Sequence, residues 1–160
     1  MDTTPCIYLV DGSAYVYRAY HAIRQLSDSQ GRPTNAVFGF TRMLLKLVEE
    51  RRPGHVGMVF DAPGPTFRHQ MFAAYKANRP PMPEDMALQL PLIKQVVAGF
   101  RLPVIEQSGF EADDLIGTLA RAARRKGFAV VIVTGDKDFV QLLAPGVGIW
   151  DPMKEAVIEA

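Results

Sequence analysis

Five short apolar runs punctuate the chain, and between them hydrophobic residues recur at helical spacing. Ile7-Tyr8-Leu9-Val10, Val56 to Phe60, Leu102-Pro103-Val104-Ile105, Ala129 to Val133 and Val147 to Trp150 read as short buried strands, the last of them closing the set. A helix opens at Ser13 and carries Tyr15, Tyr17, Arg18, Ala19 and Ile23. Thr34 or Asn35 is placed to cap a second, with Val37, Phe40, Leu44, Leu45 and Val48, ending near Arg51-Arg52-Pro53-Gly54. Glu84 to Phe100 is helical in pattern, and Pro91 should kink or divide it. Leu115, Leu119 and Ala122 or Ala123 mark a further helix, closed by Arg124, Arg125 and Lys126 before Gly127. Phe139 to Leu143 supplies one or two helical turns. Strands alternating with helices predict an α/β fold: a mostly parallel central sheet with helices on both faces, in a single domain.

In such sheets ligands bind beyond the carboxyl ends of the strands. Three of the runs are followed there by aspartate: Asp11 after the first, Asp61 after the second, Asp136 and Asp138 after the fourth. The loop after Ile105 delivers Glu111, Asp113 and Asp114 to the same edge, so 7 of the 17 acids are expected on one rim. Acids at 111, 113 and 114 also suit the first turn of a helix, where the dipole favours negative charge. One carboxylate is enough for that, however, and three repel unless a cation or protons intervene. Hard divalent cations are the natural partners of crowded carboxylates, and the absence of His or Cys among the acids favours Mg²⁺ or Mn²⁺ over zinc. Two ions sharing bridging carboxylates suit the hydrolysis of phosphoryl esters.

Composition changes between Pro63 and Pro83. This stretch holds Arg68, His69, Lys76 and Arg79 among Phe67, Phe72 and Tyr75, and stops at Pro80-Pro81-Met82-Pro83. Lys76 and Arg79 lie three apart, so on a helical turn both face one phosphate, with Tyr75 and Phe72 in reach of a base. Arg121, Arg124, Arg125 and Lys126 read instead as a helix end facing solvent, with DNA contact as the alternative. The totals are those of one ordinary soluble domain: 160 residues, 48% hydrophobic, 22% charged, net charge +1. A single Cys6, the lack of a signal-peptide pattern and the lack of a run near the ~20 apolar residues of a membrane helix all point to the cytoplasm and away from membranes.

Several stretches in order resemble the 5′→3′ exonuclease domain of bacterial DNA polymerase I, a member of the flap endonuclease family with a PIN-like nuclease core. They are Leu9-Val10-Asp11-Gly12-Ser13, Tyr17-Arg18-Ala19-Tyr20-His21, Val59-Phe60-Asp61, Phe67-Arg68, Tyr75-Lys76-Ala77-Asn78-Arg79-Pro80-Pro81-Met82-Pro83, Glu111-Ala112-Asp113-Asp114 and Thr134-Gly135-Asp136-Lys137-Asp138. The resemblance implies a divalent-metal nuclease that removes 5′ ends and 5′ flaps from DNA in replication and repair. It implies one metal site from Asp11, Asp61, Glu111 and Asp113, and a second from Asp113, Asp136 and Asp138, with Asp114 adjacent. It implies that Lys76 and Arg79 act at the scissile phosphate, on a helical gateway spanning 63–83, and that Arg18, Arg68 and Tyr75 contact DNA. A monomer acting at the bacterial nucleoid, continued by further nuclease and polymerase parts, completes the expectation. The family's further aspartate motif and its helix–three-turn–helix element are not seen before Ala160, so a catalytically incomplete metal- and DNA-binding fragment is the alternative. A small-molecule phosphohydrolase on a similar sheet is a third; it would want a second acid close after Asp11, where Gly12-Ser13-Ala14 stands.

Overall fold

The computed structural model describes residues 4–160. Six strands form one sheet: β1 (Cys6–Asp11), β2 (His55–Val59), β3 (Val104–Ile105), β4 (Ala129–Val133), β5 (Val147–Asp151) and β6 (Ala156–Ile158). Their order is β3-β2-β1-β4-β5-β6, parallel except for β6, which runs antiparallel to β5. The chain builds outward from β1 to β2 and β3, then returns to β1's other side for β4 and β5. That reversal opens a crevice between the carboxyl ends of β1 and β4, the usual ligand position in sheets of this kind.

Helices cover both faces. On one lie α1 (Gly12–Ala22), α2 (Asn35–Arg51) and α5 (Leu90–Gly99), whose Val16, Phe40, Leu44, Leu47, Ile93 and Val97 pack on Val10 and Met58. On the other, α6 (Ala112–Arg125) lays Ala112, Ile116 and Ala120 over Leu9, Val59 and Ile132, joined by Phe139 of a 3₁₀ segment, Lys137–Leu142. Burying a Leu, Ile or Phe contributes about 1.5–3 kcal/mol, so the two clusters hold the sheet and keep its strand ends in register. Between them, α3 (Phe67–Met71) and α4 (Glu84–Ala87) are short. No described helix is long and apolar enough to cross a membrane.

Three expectations need correction, and a fourth is met. Val147–Asp151 is not the last strand, because Pro152 to Glu155 turn the chain back into β6. The helical stretch from Glu84 is divided, as expected, with α4 ending at Ala87 and Pro91 in the first turn of α5, where its missing N–H costs nothing. Neither Thr34 nor Asn35 caps α2 with its side chain. The buried Gln89 does so instead: its Oε1 accepts from the N–H groups of Ala36 (2.8 Å) and Val37 (3.1 Å), and its Nε2 donates to Asn35 Oδ1. Lastly, the 63–83 stretch is helical only in α3. Lys76 has φ +54°, a left-handed turn conformation that breaks the helical spacing to Arg79.

Candidate active site

Asp11 is the last residue of β1 and the N-cap of α1, and its Oδ1 accepts from the Ala14 N–H at 3.4 Å. The next residue must be glycine, because a Cβ at Gly12 would stand 2.9 Å from the Val59 carbonyl oxygen and the Phe60 ring. Across the crevice the buried Thr134 donates its hydroxyl to Asp11 Oδ2 at 3.1 Å. Burial, followed by the charge of Asp113, pushes the Asp11 carboxyl up to about 7.

Asp61 bridges two elements. Its N–H donates to Ser13 Oγ on α1 at 2.8 Å, while its Oδ1 accepts from the Ala112 N–H at the start of α6 at 2.6 Å. Asp136, after β4, is fastened through its N–H to Thr134 Oγ1 and caps the 3₁₀ segment by accepting from the Asp138 N–H at 2.9 Å.

The three acids opening α6 have separate duties. Asp114 performs the capping expected of a first-turn acid, accepting from the Glu111 N–H, and takes both guanidinium nitrogens of Arg68 at 2.6 and 2.7 Å. The Arg68 charge holds the Asp114 carboxyl below the ordinary range. Glu111 accepts from Arg68 at 3.0 Å, from the Tyr75 hydroxyl at 3.2 Å and from Lys76 Nζ. Burial works against the Lys76 ammonium, yet its bonds to Glu111 and Tyr75 outweigh that and leave it above its usual range. The side chain of Asp113, between them in sequence, makes no hydrogen bond among the described residues. Although it stands at the open rim, crowding on its inner side and the charges of Asp136, Asp61 and Glu111 push its carboxyl up to about 6.

All seven acids therefore lie at the carboxyl edge of the sheet, and Asp11, Asp61, Glu111, Asp113 and Asp136 feel one another's charge. Among the described residues, no three of them converge into a ready-made metal cage. Repulsion and the cations on Glu111 and Asp114 account for that spread. The donor set still fits a hard divalent cation: it is oxygen only, the side chain of Asp113 is free of hydrogen bonds, and Asp11 and Asp113 are short of positive charge.

Of the 67–79 segment, the bases Lys76 and Arg68 and the Tyr75 hydroxyl reach the rim, while Arg79 stays exposed in its turn. Arg18 lies on the far side of Asp136. Its guanidinium donates to both oxygens of Asp151, at 3.0 and 3.2 Å, and a Cβ at Gly135 would collide with it. Asp151 is buried at the end of β5 and also accepts from the Tyr15 hydroxyl at 3.2 Å. A cavity of about 590 Å³ opens beside this pair, with Tyr17, His21 and Lys154 in its wall. Thr134 and Asp151 join the site without being singled out as site residues by the sequence. The rule that found the other acids, an aspartate ending a parallel strand, also picks out Asp151.

A family model described as the 5′-3′ exonuclease, N-terminal resolvase-like domain matches residues 6–160. A 5′-3′ exonuclease of Aquifex aeolicus is 43% identical over 151 residues, covering 94% of this chain and 52% of its own. DNA polymerase I of Pseudomonas aeruginosa is 49% identical over 143 residues, covering 89% of this chain and 16% of its own. The chain thus spans about half of the first relative and about a sixth of the second. Among solved structures, T5 5′-exonuclease with bound zinc ions matches with a TM-score of 0.72 at 18% identity, over 96% of this chain and 58% of that one. The catalytic core of Rad2 in complex with DNA substrate matches at 0.56 and 20% identity, over 97% and 46%. At such identities the two structures speak for the fold.

Proposed function

The chain belongs to the 5′-3′ exonuclease N-terminal domain family, and on that premise we propose that its carboxylate rim hydrolyses DNA phosphodiesters at 5′ ends and 5′ flaps. The observation that carries the proposal is the crevice between β1 and β4, where Asp11, Asp113 and Asp136 share one edge and the cationic 67–79 segment stands over it. Asp11, Asp61, Glu111 and Asp113 would hold one Mg²⁺ or Mn²⁺, and Asp113, Asp136 and Asp138 a second. Such ions lower the pKa of a bound water and stabilise the leaving oxygen.

The chain's own residues do the rest. Thr134 and Ala14 fix the Asp11 carboxyl, and Ser13 and Ala112 fix Asp61, so these donors are oriented before a ligand arrives. Lys76 and Arg68 neutralise Glu111 and Asp114 while the site is free of phosphate. A phosphate entering at the rim offers the same cations a stronger anion, and Lys76 turns to it; Arg79, exposed three residues on, joins it. Residues 63–83 then form the gateway through which the 5′ strand passes, and the buried Asp151 keeps Arg18 aimed beside Asp136.

Incubation with a 5′-flap duplex and with p-nitrophenyl phosphate, each with Mn²⁺ and with chelator, tests the proposal. Metal-dependent binding and nicking of the flap alone is expected, and both are lost in Asp113→Asn. Turnover of the small ester would favour a phosphohydrolase, and metal-dependent flap binding without nicking an incomplete fragment.

A further inference from the structure

The space in front of the carboxylate rim continues as a groove of about 650 Å³. From Tyr75 and Asp113 it runs along α6 past Gly117 and Thr118 to Arg121 and Arg125, with Gln141 of the 3₁₀ segment opposite. Positions 118, 121 and 125 share one helix face, because side chains three and four apart stack above one another. Arg121 and Arg125 are exposed, and among the described residues neither has a hydrogen bond or an ion pair. Their neighbour Arg124 differs: it donates to the Phe128 carbonyl at 2.7 Å and lies against Gly146. Arg125 shares the last turn with Arg124 and gains from the helix dipole, but Arg121 lies a turn earlier, and neither Arg121 nor Arg125 has a side-chain partner that fixes it in the fold.

The groove has opposite charges at its two ends. Its head is acidic and accepts an anion only with a cation between them. Its foot carries two arginines whose positions are about 6 Å apart along the helix axis, each guanidinium able to bind a phosphate through paired N–H donors. A compact anion satisfies one end only. A strand whose successive phosphates step along the groove satisfies both.

Resting on the nuclease reading above, we infer that the groove carries single-stranded DNA on the 5′ side of the scissile phosphate. This strand leaves the rim beneath Tyr75 and runs down α6, with successive phosphates on Arg121 and Arg125. Each contact releases a counterion and is indifferent to base identity.

Fluorescence anisotropy, in Ca²⁺ to hold off hydrolysis, can compare a blunt duplex with duplexes bearing 5′ oligothymidine tails of increasing length. Wild-type affinity should rise with tail length. The Arg121→Ala/Arg125→Ala double variant should lose that rise and keep the blunt-duplex affinity. Its slope of log affinity against log salt on tailed DNA should be shallower by about 1.4, at about 0.7 per single-strand phosphate. Lys126→Ala, a basic neighbour outside the groove, should change neither. Unaltered tail dependence in the double variant, or equal losses on blunt and tailed DNA, would overturn the inference and leave the nuclease reading standing. A wild type that binds no DNA in Ca²⁺ sinks that reading, and this one with it.

Discussion

Replacing Asp11 by Asn should stabilise the metal-free protein while removing a proposed metal ligand. The folded chain holds the Asp11 proton up to about 7, against an ordinary value of 3.8. An acid raised by folding favours the fold fully at pH below its unfolded value. That stability is lost as pH climbs from about 3.8 to about 7. A shift near three units corresponds to about 4 kcal/mol, all of it opposing the fold by about pH 8. Asn removes the charge and retains an oxygen for the Ala14 N–H; weakening the bond with Thr134 costs about 1 kcal/mol. The net gain is about 3 kcal/mol at about pH 8, or about 6–12 °C in Tm for a chain of this size. At about pH 5 the wild-type penalty has fallen below 2 kcal/mol and the gain shrinks toward zero. Thermal melts of both proteins in chelator, followed by far-UV circular dichroism across this range, measure the difference. A variant less stable than wild type at pH 8, or a difference that does not vary with pH, would show that burial does not hold the Asp11 proton.

Lys76→Ala should raise Mn²⁺ affinity in calorimetric titrations, because Glu111 then loses its nearest cation; weaker binding would mean that Lys76 organises the site rather than competing for it. Asp114 behaves oppositely to Asp11: its carboxyl is depressed by Arg68, so the stability it contributes is present above the ordinary carboxylate range and lost as pH falls through the lowered value. Arg68→Gln should therefore cost stability at neutral pH and little in strong acid, as denaturant midpoints would report. Gly135→Ala should displace the Arg18 guanidinium from the buried Asp151, lowering DNA affinity with about 1–3 kcal/mol lost in stability; wild-type affinity in the folded variant would count against a role for Arg18 in binding.

Local and periodic features are legible in the residues alone. Runs such as Leu9-Val10 and Ile132-Val133 announce buried strands, and in a parallel sheet every strand end is at the same edge. Asp11, Asp61 and Asp136 could thus be gathered without coordinates, and motif order alone pointed to the family. Which partner each group takes depends on tertiary contacts, because those partners are distant in the chain. Nothing near Asn35 reveals that Gln89 caps α2, or that Asp151 holds an arginine on α1. The three acids before α6 are equivalent in a sequence. Arg68 singles out Asp114, Lys76 and Tyr75 single out Glu111, and only the side chain of Asp113 is left free of hydrogen bonds. Likewise Arg124 and Arg125 are adjacent letters of one basic run, and 100° of helical rotation puts one on a carbonyl and the other in the groove.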